Sequence, residues 1–503
     1  MSGLFGHLTS ASSALQAHSK SVELSGKNIA NINNPNYARQ RVISSSVSAV
    51  ASGQVSTFVD REVQNLRDVF VDKQVVEEGS FLSSFETRDN RLREILAVLG
   101  ETVDRVNDPS FISDQPEDNG GIRDSLNDFL NAFENFAANP TDRANRSVVM
   151  QSAEELVSSL NRADARLDKI ENSIDTEIQT EVKSFNNRMA ELSDMNRQIA
   201  RIEIAAGEGA AADIRNERQA LLEELAEFAQ VDVETVASSG GQVAVRMRTE
   251  SGETVDLLRP GFSPEPLLYD TANNTFRVAS SSEDLDLRAG KLAALSQVKS
   301  EDLVEIRSQL DALANTVATE VNEIYYQAFV PAGVDPAVDP AVPEFSFFAQ
   351  PTPPPSVSGA PSTVDAGSIA LYTGSSDPLV TDSRALDVDS LRSTNSNFAG
   401  ANELALAIAG LSQQNFATLG ELSLSEAIIQ TSIDLGQEIE SNGNQLAVQS
   451  DVQILMKERQ AQVSGVSLDE EMSNLVQYQR AFQASSQVFQ VVSEMLETIV
   501  NLR

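Results

Sequence analysis

Apolar residues open the chain at a heptad-like spacing: Leu4, Leu8, Ala11, Leu15, His18, Val22, Ser25, Ile29 and Ile32 follow one another at alternating steps of four and three. That spacing predicts one amphipathic helix. Asn33-Asn34-Pro35-Asn36 ends it, because Pro35 has no amide proton and disfavours helical geometry at the residue before it. Tyr37, Arg39 and Arg41 then fall on an extended exit strand. The far end mirrors this arrangement. Gly465 interrupts a preceding helix, Ser467 and Glu470 have capping-box spacing, and Asp469, Glu470 and Glu471 suit the positive end of a helix dipole. From Leu468 one stripe passes through Met472, Leu475, Phe482, Phe489 and Leu496, and an adjacent one through Val488, Val492, Met495, Ile499 and Leu502. An apolar face that wide exceeds a two-helix seam.

Between the ends, helical spacing recurs in Leu92, Ile95, Leu99, Val103 and Val106, and again in Ile122, Leu126, Phe129, Phe133 and Phe136. A pattern of about sixty residues carries Leu156 through Ile202, with consecutive steps of four around Ile174 that loosen a left-handed supercoil. Leu303 to Ile324 predicts another helix, and Leu404 to Ala461 two more. Val231 to Leu258 alternates instead, around Gly240-Gly241 and Ser251-Gly252, which predicts a small antiparallel sheet. Pro331 to Pro361 holds nine of the seventeen prolines, followed by short apolar pieces at Ile369–Tyr372 and Leu379–Val380. The expected fold is mainly α: a long, coiled-coil-like helical bundle with a small antiparallel sheet, a small β-rich insertion and paired N- and C-terminal helices. Three parts are expected. Residues 1–45 with 467–503 form a terminal coiled-coil domain, disordered in the monomer. Residues 46–330 with 401–466 form the bundle, its sheet at 231–258, and 331–400 a Pro-rich linker with the insertion.

Composition narrows the function. The 503 residues include 37 basic and 74 acidic ones, a net charge of −37 that repels nucleic acid. Cysteine is absent and histidine occurs twice, at His7 and His18, so thiolate sites, disulfides and HExxH zinc chemistry are excluded. No GxSxG elbow, P-loop or GxGxxG after a strand is present. The acid pairs Asp284/Asp286 and Asp387/Asp389 lack the glycine and closing glutamate of a calcium loop. The expectation is no catalytic residue, no cofactor and no metal. No apolar run spans a membrane, and no basic start with an apolar centre marks a signal peptide.

The ends also complement each other in charge. Residues 1–50 carry four bases and one acid, or +3, and 467–503 carry two bases and five acids, or −3. A single seam buries too little to order the first helix alone against its backbone entropy. It needs neighbours. The expected self-assembly seam is Leu4, Leu8, Leu15, Val22, Ile29 and Ile32 with Leu475, Phe482, Val488, Val492, Met495 and Ile499.

Asn28-Ile-Ala-Asn-Ile-Asn-Asn-Pro-Asn-Tyr-Ala-Arg39 resembles the N-terminal signature of bacterial flagellar axial proteins, the rod, hook and hook-associated family. Its motif positions here are Asn28, Asn31, Asn34, Asn36, Tyr37 and Arg39, with Asn36 where the family usually has glycine. Val463 to Glu471, Asn474 to Gln479 and Ala484 to Arg503 are similar to that family's closing helix. The fit is best to its junction-forming, hook-associated members, and the likeness extends over the helical middle from Leu66 to Ala461. The resemblance implies a secreted structural protein of the extracellular flagellum, exported by the flagellar type III apparatus and forming a ring of its own copies between hook and filament. Its implied partners are hook protein, a second junction protein, FlgL, and an export chaperone, FlgN. Leu475, Phe482, Phe489 and Leu496 are the candidate chaperone-binding residues. The alternatives are the sister junction protein or another rod or hook protein, and a secreted coiled-coil scaffold or effector.

Overall fold

The structure, a computed structural model, describes residues 2–51, 54–98, 121–207, 209–236, 239–327, 347–349, 364–372, 391 and 401–501, without the side chains of 2–7, 44–62, 326–327 and 499–501. The fold is mainly α with small antiparallel sheets. Two compact units form: Met1–Thr87, Ile178–Ala294 and Gln445–Arg503 in one, Arg88–Glu177 and Leu295–Asn444 in the other. This division does not follow the three-part partition expected from the sequence.

In the first unit, helix α1 (Ser2–Ala30) leads through a turn into a hairpin of β1 (Gln40–Ala51) and β2 (Gln54–Asn65), paired antiparallel from Gln40 opposite Asn65 to Ala51 opposite Gln54. Helix α2 (Val69–Val98) begins after it. The helix α4 (Arg143–Ala206) buries Ile178, Phe185, Met189, Leu192 and Ile199, a spacing that keeps one face inward. Helix α5 (Ala212–Phe228) precedes a three-stranded sheet of β3 (Asp232–Thr235), β4 (Val243–Arg248) and β5 (Thr254–Leu258), in that order. Val243, Val245 and Met247 point inward at every second position. A further hairpin, β6 (Leu267–Asp270) with β7 (Thr275–Val278), follows.

Two asparagines of α4 hold strand backbone. The Asn196 side chain donates to Val243 O at 2.9 Å and accepts from Val243 N at 3.2 Å. Asn186 does the same for Leu267, at 2.9 and 2.8 Å. Each satisfies a strand's backbone pair that no neighbouring strand takes. Helix α9 (Leu424–Ser464) stops at Gly465, where an added Cβ would lie 2.3 Å from the Ala461 carbonyl oxygen, and α10 (Leu468–Asn501) starts three residues on.

The second unit is built on aromatic packing. Helix α3 (Ile122–Ala138) buries Phe129, Phe133 and Phe136, and Phe347 and Phe348 join them with centroid separations of 5.0 to 6.5 Å. Asn322 anchors that insertion, accepting from both Phe347 N and Phe348 N at 2.8 Å and donating to Phe348 O at 3.0 Å. Phe348 also bridges to Leu371. Leu379 and Val380, expected as strand, and Leu99, Val103 and Val106, expected as helix, lie outside the described residues. A short α6 (Lys291–Gln297) passes through a π-helical turn, Val298–Asp302, into α7 (Leu303–Gln327), and α8 (Glu403–Gly410) precedes α9. The π turn presents two half-buried ion pairs, Lys299 to Asp175 at 2.6 Å and Asp302 to Arg88 at 2.8 Å.

Candidate functional site

The Asn-rich segment after α1 folds by local side-chain bonding. Asn31 Nδ2 donates to Lys27 O at 2.9 Å, and the Asn36 amide donates to Asn34 Oδ1 at 3.1 Å, closing a turn around Pro35. Although the related proteins usually have glycine at this place, Asn36 does not have a positive φ, and the Asn34 side chain closes the turn. Asn36 O accepts from Arg67 Nη2 at 3.0 Å. The chain then returns alongside the helix it has just left.

That return assembles a buried clasp. Asn28, 1% exposed, accepts from the Tyr37 hydroxyl at 2.8 Å and the Gln40 amide at 3.0 Å. It donates to Gln40 O at 2.9 Å and to Glu471 Oε2 at 3.1 Å. Both donors and both lone pairs of its amide are used, which leaves no alternative rotamer of equal energy. Glu471, 2% exposed, accepts from Arg39 Nε at 2.7 Å, and Glu470 accepts from Arg39 Nη1 at 2.8 Å. Glu470, expected to complete a capping box, thus has its carboxylate drawn to Arg39. The Arg39 amide donates to Ser464 O at 2.8 Å, at the junction of α9 and α10. A buried carboxylate with this many donors is held in one place, and loss of any partner exposes the cost of its burial.

Asp213 of α5 closes the clasp from the side, accepting from Gln40 Nε2 at 2.9 Å and from Lys27. Burial works to raise its pKa, yet the hydrogen bonds from Lys27 and Gln40, with the lysine charge, hold it below the ordinary carboxylate value. The Tyr37 phenol is pushed far above its ordinary value, first by burial and then by the negative charges of Asp213 and Glu471. It therefore stays protonated and donates to Asn28.

α1 ends and α10 begins at the clasp, and from there they run side by side in contact. Leu8, Leu15, Val22 and Ile29 are half-buried on α1, as are Leu475, Phe482, Val492 and Leu496 on α10, while Ile32 is exposed. Phe489 is exposed. Val488 and Met495 stay open, 55% and 52% exposed, together with Met472, Val476 and Val491. The side chains of Leu4, His7 and Ile499 lie outside the described residues, and His18 is half-buried. Among the described residues, no three histidine or acidic side chains are grouped to hold a metal ion, and no helix is long and apolar enough to cross a membrane.

Of the six motif residues, Asn28, Tyr37 and Arg39 enter the clasp, while Asn31, Asn34 and Asn36 shape the turn that delivers them. Sequence reasoning missed Gln40, Asp213 and the role of Glu471. The signal for Glu471 was present in the opposite charges of the two ends.

Similarity to known proteins follows the same outline. The family profile described as flagellar hook-associated protein FlgK helical domain matches residues 113–334, and that described as flagellar basal body rod FlgEFG protein C-terminal matches 461–502. Flagellar hook-associated protein 1 of Bacillus subtilis is 25% identical over 542 aligned positions, covering 100% of this chain and 99% of that one. Its Escherichia coli counterpart is 23% identical, with 99% of both chains covered. The solved structure of the flagellar hook junction protein FlgK from Burkholderia pseudomallei shares the fold, with a TM-score of 0.56 at 15% identity, over 78% of this chain and all of that one. End to end, the likeness is to one group of proteins, the flagellar hook-associated protein 1 relatives.

Proposed function

We propose that this chain is a structural subunit of the bacterial flagellum that stands at the junction between hook and filament. The observation that carries the reading is the clasp, which ties two chain ends 443 residues apart into one helix pair and leaves a second apolar stripe of α10 open. A helix pair with one face covered and another bare suits packing against copies of itself. The seam residues named from the sequence on both helices supply that packing, and the ring of copies contacts hook protein on one side and FlgL on the other.

Export precedes assembly. The chain leaves the cell through the flagellar type III apparatus, and FlgN covers the apolar surface of α10 until it does. Without disulfides, and with terminal helices held mainly through one clasp, the chain is suited to unfolding for transit. Outside the cell, neighbouring copies complete the order of both ends.

The test is complementation of a strain lacking its own hook-associated protein 1. The full chain restores filament growth and swimming, and versions lacking residues 1–32 or 468–503 restore neither. Swimming restored by both shortened versions would refute the reading.

A further inference from the structure

Arg218 of α5 is 7% exposed, and among the described residues no carboxylate pairs with it. Its Nη1 donates to two neutral oxygens, Asn196 Oδ1 at 3.1 Å and Gly241 O at 2.8 Å. Nε and Nη2 have no hydrogen-bond partner among the described residues. Burial and the neighbouring Arg215 lower its pKa to about 10, against the pull of Glu203, so the guanidinium is still charged at neutral pH. An unpaired buried cation is costly unless something compensates it.

The carboxylates within reach are committed elsewhere. Glu203 accepts from Arg215 Nε at 2.8 Å and Nη2 at 2.6 Å. Asp72 accepts from Arg67 at 3.2 Å, and Asp232 from Lys73 at 2.5 Å. Among the described residues, Arg215, Arg67 and Lys73 each have a carboxylate partner, which leaves the Arg218 charge unpaired on a chain whose net charge is −37. That charge lines a cavity of about 390 Å³, with Arg67, Asp72, Lys73, Arg215 and Leu222 among its walls. Beside Arg67, the buried Asn216 has an Nδ2 donor without a partner, while its Oδ1 receives Arg67.

We propose that the cavity binds a small oxyanion of the phosphate or sulfate class, with Arg218 as its principal charge and Arg215 and Arg67 beside it. Planar guanidinium forks match such oxygens in pairs, and the volume leaves room for the anion's remaining water. The bound anion neutralises the core cation and fastens α5 to the Gly240-Gly241 turn of the sheet.

The test uses the full-length chain at constant ionic strength. Inorganic phosphate between roughly 0.1 and 20 mM replaces chloride, below the range of general salting effects, while the unfolding midpoint and the 31P linewidth are followed. A saturating rise in midpoint with 31P broadening is expected, and in R218M an affinity at least tenfold weaker. Identical behaviour in phosphate and chloride, or an undiminished phosphate response in R218M, would overturn the site. Should R218M fail to fold, crystals of the unaltered protein grown in selenate decide: a selenium peak against Arg218 upholds the proposal, and an empty cavity overturns it.

Discussion

The phenylalanine core of the second unit and the terminal helix pair of the first are written in the same helical spacing, yet the chain treats them oppositely. Phe129, Phe133 and Phe136 are fully buried by residues of their own chain. The stripes of α1 and α10 are half-covered at Leu15, Val22, Phe482 and Val492 and bare at Val488 and Met495. Burial, not pattern, separates a core from a surface awaiting a neighbour. The terminal pair is fixed in register by polar chemistry at one end, where Asn28, Arg39 and Glu471 meet, and its apolar faces are left incompletely covered.

The largest effect belongs to the core. Phe133→Ala is expected to cost about 3–5 kcal/mol, since the Phe129 and Phe347 rings at 5.2 and 5.8 Å lose their partner and cannot close the gap. Denaturant unfolding measures it, and hydrogen exchange should rise throughout the second unit. A loss confined to a few tenths of a kcal/mol would mean that the aromatic cluster is no core.

Next comes the clasp. Asn28→Ala leaves the Gln40 backbone, the Tyr37 hydroxyl and part of Glu471 without partners, at roughly 2–4 kcal/mol of local stability. Amides of α1 and α10 should then exchange faster while those around Phe133 are unchanged. Equal loosening of both regions would erase the contrast drawn between them.

How far the sequence spoke differs between these regions for physical reasons. The 64 residues of α4 were legible because their apolar positions repeat over many turns, and the end of α1 because proline and asparagine act locally. Where the β1–β2 hairpin stands the sequence predicts only an exit strand, since Ser44, Ser45 and Ser46 interrupt its alternation, and β6 and β7 are only four residues each. The clasp was half legible. Asn28, Tyr37 and Arg39 sit within twelve residues, but Glu471 is distant in sequence and was one of three adjacent acids with no local cue to mark it. Arg218 was invisible as a buried cation, because α5 places it inward among residues that would suit a solvated helix face equally well.

Tyr37 gives a smaller effect, tied to pH. Its folded pKa lies above the ordinary value of about 10, so the neutral phenol's contribution is fully present below that value and is lost as pH rises through the raised one. Tyr37→Phe should cost about 1 kcal/mol at neutral pH. It should also flatten the alkaline loss of stability, as read from unfolding midpoints between pH 8 and 11. An unchanged alkaline slope would show that the phenol does not titrate with the clasp.

The smallest effect on the isolated chain should accompany the largest on its assembly. Val488 and Met495 are more than half exposed, so Val488→Ser with Met495→Ser removes little buried apolar area and should shift monomer stability by no more than about 0.5 kcal/mol. The open stripe of α10 would nevertheless lose its apolar character along two turns. Copies that pack through that stripe would no longer do so, and the doubly substituted chain should fold normally, fail to form rings and leave cells without filaments. Both readings come from one protein preparation and one complemented strain. A variant that is unstable as a monomer would place Val488 in a core after all, and one that assembles normally would mean the bare stripe meets no neighbour.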